Sequence, residues 1–422
     1  PVIAVIVVGL VAMLAWTLFS ARLSRWQVTG PVAMVLCGIA LGFIMTDSIV
    51  TELDTELAER IVELILAVLL FIDATEVRGG YLGGQRGIVA RLLGIALPVS
   101  LVLAVLVGLP LLGVSSIAII VAIALVLIPV DFAPAAGFLR DRMVPSRLRS
   151  ALSVESGYAD AIRAPIFAFA LVVVESPEKP HSLLELVEHA LPDIGFAIVV
   201  GAGVGALTGL LGRIALHRGW VRSEGLRLAA VLIPLVTYAC AVALHGNGFV
   251  AAFIAGITYR IMRLRGRGGG SHDGVEARET ELRKELRAVE DIGALASLLM
   301  WFVFGTVVAI VFLLPPEWLW LLYGLLALTL LRSLPVQLSM LGSGLPFRER
   351  AALGFMGPRG TSTIVFGLLA FNAIETDDAI VVLYVMVVTV LGSVILHGLL
   401  GPFISRRILG RSAKAARGVP GP

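Results

Sequence analysis

The sequence predicts an all-α polytopic membrane protein of thirteen transmembrane helices, and three observations predict it. Of 422 residues, 58% are hydrophobic and only 15% charged, with a mean hydropathy of +0.97, which no water-soluble core of this length requires. Apolar stretches close to the ~20 residues that cross a bilayer recur along the whole chain. Basic residues gather in every second loop between them.

Taken in order, the spans fall near residues 1–20, 29–46, 61–77, 88–112, 116–139, 150–174, 191–212, 226–244, 247–262, 292–314, 317–333, 350–372 and 378–400. The first has no charged segment before it and is followed by Arg22 and Arg25, so it reads as a retained span and not a signal peptide. Odd-numbered spans are followed by Arg22 and Arg25; Arg78, Arg86 and Arg91; Arg140, Arg142, Arg147 and Arg149; Arg213, Arg218, Arg222 and Arg227; the cluster from Arg260 to Arg287; Arg332, Arg348 and Arg350; and the cluster from Arg406 to Arg417. Of the 33 Lys and Arg, only Arg60, Lys179, Arg163 and Arg359 lie elsewhere. The even loops are acidic or nearly uncharged, with Asp47, Glu52 and Asp54 in one and Glu375, Asp377 and Asp378 in another. One missed or extra helix would invert every later loop, so the alternation tests the count. It puts the N-terminus outside and the C-terminus in the cytoplasm of a cell in whose cytoplasmic (inner) membrane the protein sits.

Residues 1–405 thus read as a single membrane domain and 406–422 as a basic cytoplasmic tail. A cytoplasmic enzyme would need a soluble domain, and the longest loop, 263–291, offers only a glycine-rich turn and a short charged helix. Leu282, Leu286 and Val289 give that helix one apolar stripe, to lie on the protein or the membrane surface. Cys37 and Cys240 sit in apolar runs and read as small core hydrophobes, with no metal-ligand spacing. Neither a cofactor nor a nucleic acid is implied.

Thirteen spans divide into six, one and six. This predicts inverted repeats over about 1–175 and 226–400, linked by span 191–212, whose Gly201, Gly205 and Gly209 suit close helix contact within the protomer. Span five is interrupted at Pro129 and Pro134, and its counterpart, span twelve, at Gly354 to Gly360. Proline removes a backbone donor and glycine permits unusual dihedrals, so both read as broken helices and not as simple kinks. Discontinuous helices at matching positions mark a transporter's substrate site.

Charge falls at the same place. Asp131 and Arg359, one in each break, suit helix ends that carry partial charge. In span six, Ser156, Asp160 and Arg163 share one helical face, with Glu155 beside it in reach of Arg359. Ionisable groups at such depth mark an ion or proton path. Three carboxylates against Arg163 and Arg359 leave one without a fixed partner, for which a cation and a proton would compete.

These residues resemble a family, the monovalent cation/proton antiporters of the sodium/proton exchanger type. Val130-Asp131-Phe132 is similar to its Thr-Asp-Pro broken-helix motif, Glu155-Ser156-Gly157-Tyr158-Ala159-Asp160 to its Glu-Ser-x-x-Asn-Asp motif, and Gly357-Pro358-Arg359-Gly360 to its Gly-Leu-Arg-Gly motif. Weaker echoes are Leu70 to Asp73, Gly246 to Gly256 and Trp301 to Gly305. The resemblance implies exchange of sodium or potassium for protons by alternating access. It implies that Asp160 carries cation and proton in turn, that Ser156 and unwound backbone at Val130 help coordinate the cation near Asp131, and that Glu155 pairs with Arg359. It also implies a homodimer in the lipid bilayer with a fixed dimerisation domain and a moving six-helix core.

Three residues depart from the pattern. Val130 and Ala159 stand for the family's Thr and Asn, and Arg163 is an added charge one turn from Asp160. Arg163 either gates the site as an internal cation or locks it, which keeps open a non-transporting sensor or scaffold, or an antiporter for another substrate. No selectivity-filter string or arginine ladder marks a channel, and His245 and His397, near span ends, lack the partners of an intramembrane protease.

Overall fold

The computed structural model describes residues 2–24, 29–44, 56–76, 85–132, 144–175, 183–265, 272–374 and 376–399. Pro134, Arg140, Arg142, the acids from Asp47 to Asp54 and the basic tail lie outside the described residues. Helices occupy every stretch read as a span: α1 Val2–Ser24, α2 Gly30–Ile44, α3 Glu56–Glu76, α4 from Arg86 to Leu111, α5 Ile117–Leu127, α6 Ser146–Glu175, α7 Leu183–His217, α8 Ser223–Ala243, α9 Gly248–Leu264 and α10 His272–Leu313. They continue with α11 Trp318–Leu328, α12 Leu330–Ser339, α13 Phe347–Phe355, α14 Thr361–Ala373 and α15 Ala379–Ser393, which runs on as the π-helical turn Val394–Leu399. Among the described residues, seven helical stretches are long and apolar enough to cross a membrane, with α11 and α12 taken together as one, and Gly30–Ile44, Ile117–Leu127 and Thr361–Ala373 are shorter apolar ones. The chain is therefore an all-helical, multi-pass membrane protein among its described residues.

Two elements differ from the sequence expectation. The short charged helix expected within 263–291 is not separate, because α10 runs unbroken for 42 residues, about 63 Å at 1.5 Å per residue. No proline interrupts 272–313, and its polar turns are rich in Glu, Arg and Leu, which favour helix. The stripe of Leu282, Leu286 and Val289 is buried on Phe71 and Ile72 of α3, Ile233 of α8 and Tyr259 of α9. Arg260 and Arg263 of α9 clamp the same stretch through Glu279, at 3.1 Å, and Glu285.

Span eleven, expected to end at 333, instead continues past a break at Thr329 into α12. Arg332, placed by sequence in a basic loop, is consequently buried inside the helix bundle. Cys240, expected in the core, is exposed on the outside of α8, where an apolar thiol suits lipid as well as it suits a core.

Burial on every face marks the elements that lie central. In α5, Ile119 and Ile120 and the whole run Ala122 to Leu127 are buried, as is every residue of α14 from Thr361 to Ala370. Apolarity alone does not select them, because lipid also accepts an apolar helix: Val5–Leu23 of α1 is apolar enough to cross a membrane and almost none of it is buried. At the periphery, small residues set the contacts. A Cβ on Gly201 or Gly205 of α7 would strike the carbonyl oxygens of Ala251 and Ala255 on α9, and one on Gly209 would strike Met262. The expected glycine seam is thus a contact within the protomer.

This seam makes a prediction. A Cβ at Gly203, by contrast, meets nothing within 4 Å. Gly205→Ala should therefore lose about 1–3 kcal/mol to overpacking, while Gly203→Ala should be neutral or gain about 0.4–1 kcal/mol. Thermal melts of the two variants in detergent check this, and equal losses would contradict the seam.

Candidate functional site

α5 ends at Leu127 and α13 at Phe355, and after each the chain leaves the helix, over 128–132 and 356–360. The two breaks cross and bond to one another. The Asp131 N–H donates to Pro358 O at 2.9 Å. Its carboxylate accepts from the N–H and Oγ of Ser362, at 2.8 and 3.1 Å, in the first turn of α14, so one break caps the helix that leaves the other. Arg359 does the converse. Its buried guanidinium donates to the carbonyls of Gly357, Pro358, Leu127 at the end of α5, and Ala327 near the end of α11. Both charges stand at helix ends of the complementary sign, as the sequence expected.

α6 brings Glu155, Ser156, Asp160 and Arg163 to this crossing. The Ser156 hydroxyl donates to Val130 O at 3.2 Å, so the two groups expected to coordinate a cation are neighbours. Asp160 is 3% exposed and Arg163 1%, and they form an ion pair at 2.5 Å. Arg163 also lies over the Phe366 ring, 3.9 Å from its centre, and reaches Leu125 O at 3.5 Å. After Arg163, the charge acting most on Asp160 is Asp131. Val130 and Ala159 are buried apolar packing residues.

The expected Glu155–Arg359 pair is not formed. Glu155 is held by Arg332, Nη1 to Oε1 at 2.8 Å and Nη2 to Oε2 at 3.0 Å, with a longer contact from Nη2 to Met356 O at 3.5 Å. The physical reason is that the Arg359 donors are taken by four carbonyls, while Arg332 crosses over the second break from α12. Gly357 permits that passage, since a Cβ there would run into the Arg332 side chain. The unpartnered carboxylate expected from the charge count is also absent: Asp131 binds Ser362, Glu155 binds Arg332 and Asp160 binds Arg163. Sequence reasoning missed Arg332 because it stood at a span boundary. The signal was its flanks, Leu330-Leu331 before and Leu334-Pro335-Val336 after, which continue the apolar run.

The weaker motifs hold the surroundings. Trp301 donates through Nε1 to Thr361 Oγ1 at 3.1 Å, and Ser297 Oγ lies 2.7 Å from the same oxygen, fixing the start of α14. Asn247 caps α9 through the N–H groups of Phe249 and Val250. Asp73 of α3 acts on Arg163 electrostatically.

The chain matches known proteins in family and in fold. Residues 9–407 match a family model described as sodium/hydrogen exchanger, transmembrane. The fold is similar to a structure of the sodium proton antiporter MjNhaP1 from Methanocaldococcus jannaschii at pH 8, with a TM-score of 0.70 and 18% identity over 94% of this chain and 99% of that one. An electron-microscopy map of the same antiporter matches with a TM-score of 0.69 and 18% identity, covering 97% and 98%. At that identity the likeness shows the fold.

The bidentate pair is testable by a double-mutant cycle. Glu155→Gln or Arg332→Ala alone strands a buried charge and should cost about 3–5 kcal/mol. The double variant should lose less than the sum, with a coupling of about 0.5–3 kcal/mol, and larger than that of Glu155 with Arg359. A larger coupling to Arg359 would contradict the observed pairing.

Proposed function

The chain belongs to the sodium/hydrogen exchanger family, and from that premise we propose that it exchanges a monovalent cation, sodium or potassium, for protons by alternating access, with Asp160 as the shared carrier. The observation that carries the reading is a buried carboxylate one helical turn from Ser156, whose hydroxyl meets the Val130 carbonyl in the first of two crossing helix breaks. Hard oxygen donors of this kind suit an alkali cation. Asp160, Ser156 Oγ, Val130 O and the Asp131 carboxylate are the groups that would receive it.

In this proposal Arg163 is the third competitor for Asp160. Breaking a buried ion pair without replacement costs about 3–5 kcal/mol, so the carboxylate must exchange partners and not simply lose one. An arriving cation replaces the guanidinium, and an arriving proton removes the need for it. When displaced, Arg163 stays near Leu125 O and Phe366, both of which it already touches. Asp160 is then never left bare and charged in a low-dielectric site.

The proposal includes the thirteen-span topology, with the N-terminus outside and C-terminus inside the cytoplasmic membrane, and inverted repeats linked by α7. The crossing of the two breaks supports the repeats. A homodimer with a six-helix core moving against a fixed half belongs to the same reading.

The Asp160–Arg163 pair also favours a second reading, a non-transporting scaffold whose site is locked. Purified protein in liposomes with a trapped pH dye, challenged with sodium, potassium and lithium, decides between them. Antiport predicts a cation-dependent pH change that Asp160→Asn abolishes while the protein stays folded. It further predicts that Arg163→Ala lowers the half-saturating cation concentration by about tenfold, which corresponds to 1.4 kcal/mol. A locked scaffold predicts that Arg163→Ala melts earlier and that no variant moves protons.

A further inference from the structure

The turn that ends α15 carries a buried group used by nothing above. Val394–Leu399 is π-helical, a form that occurs mostly as single turns within α-helices and frequently at functional sites, and His397 within it is 3% exposed. Its Nε2 lies 2.8 Å from the carbonyl oxygen of Phe355, and its Nδ1 3.2 Å from Ser393 Oγ. Ser393 Oγ in turn lies 2.7 Å from the backbone nitrogen of Arg359.

The directions of these bonds follow from chemistry. A carbonyl only accepts, so Nε2 bears the hydrogen. The Arg359 N–H only donates, so the Ser393 oxygen accepts from it and turns its own hydrogen to Nδ1, which accepts as the bare nitrogen of a neutral imidazole. The chain therefore runs from Arg359 N–H through Ser393 and His397 to Phe355 O. Both of its ends are backbone of one helix break, at the last residue of α13 and at the arginine two positions from α14.

We propose that His397, as the neutral Nε2–H tautomer, is a positioning residue that staples the second helix break shut and so holds the Arg359 guanidinium in its nest of carbonyls. A second proton undoes the staple. It would turn the bond between Nδ1 and Ser393 round, so that the hydroxyl must give up its own donation to the ring, and it would add a charge beside Arg359 of the crossing and Arg332 of α12, the charged side chains that act on the ring most. The remaining charge nearby, Glu155 of α6, is occupied by Arg332. The ring's other neighbours are Phe355, 5.2 Å between centres, and the backbone of Ser393, one helical turn before it, which also acts on the ring. The staple's contribution is accordingly present while the imidazole is neutral and lost as pH falls through its protonation.

The transport arm of the test rests on the antiporter reading, and the other two arms do not. Nitrogen-15 NMR of the wild-type protein labelled at histidine should show one residue locked as the Nε2–H tautomer, missing from His397→Gln; an Nδ1–H tautomer would overturn the proposal. Melting temperatures of wild type, Ser393→Ala, His397→Gln and the double variant should be non-additive at about pH 8, where an imidazole is neutral, and the wild type should lose more of its melting temperature than His397→Gln on acidification to about pH 5.5. Additive losses with parallel pH curves would sink the staple. In liposomes His397→Gln should retain a several-fold larger share of its alkaline rate at the acid end than the wild type, and superimposable profiles would count against the positioning role. Absence of cation-dependent flux in every protein would instead overturn antiport, with the staple then decided by tautomer and melting.

Discussion

Inside a bilayer a broken helix leaves carbonyls and amides with no water to bond, and each one left unsatisfied costs several kcal/mol. Two such breaks in one chain are tolerable only if they satisfy each other. Here the carboxylate of one break binds the opening amide of the helix beyond the other, and the guanidinium of the second binds the closing carbonyl of the helix before the first. The Asp131 N–H to Pro358 O bond ties the backbones directly. The positions of the charges that α6 and α12 bring to it follow from this crossing. α6 must pass it closely enough for Ser156 to reach Val130, and α12 must be interrupted from α11 for Arg332 to pass over Gly357.

The two ion pairs of α6 are built differently. Glu155 is gripped through both oxygens by a guanidinium from another helix, with a further contact to the second break. This geometry joins α6 to α12 and resists rotation, because two parallel bonds must break together. Asp160 is held through one oxygen by a residue three positions along its own helix. Such a pair joins no elements, so opening it requires only side-chain motion. Under the proposed antiport, the first pair serves assembly and the second is the one that exchanges.

Much of this was legible before the structure. The broken helices were marked by Pro129 and by Gly354, Gly357 and Gly360, because backbone chemistry is local and sequence reports it directly. The signs of Asp131 and Arg359 announced the helix ends they cap for the same reason. Partner choice was not legible. Glu155 has two arginines within reach of the second break, and only the three-dimensional path of α12 over Gly357 selects Arg332. Span ends were equally obscure where charge and apolarity mix: Arg332 looks like the end of a span until Leu334 and Val336 are counted, and the polar turns of α10 look like a loop although nothing in them stops a helix. His397 stood near a span end, and its role rests on the Phe355 carbonyl, a backbone group with no signature in the side-chain sequence.

The same balance bears on the family pattern that this chain does not keep. Val130 and Ala159 have taken apolar places in the core where the family carries Thr and Asn, so a cation at Asp160 would find fewer side-chain oxygens. Fewer ligands mean weaker binding, and a weakly bound cation displaces a resident guanidinium only if that guanidinium is itself held loosely. Arg163 meets Asp160 through one oxygen and has Phe366 and Leu125 O on its other side, so it can leave the carboxylate without losing every partner. Under the proposed antiport, loss of ligands and gain of arginine are then one change. The arginine supplies charge balance in the empty state, and the reduced ligand set keeps every occupant of Asp160 exchangeable, as a carrier that must release its cation on the far side requires.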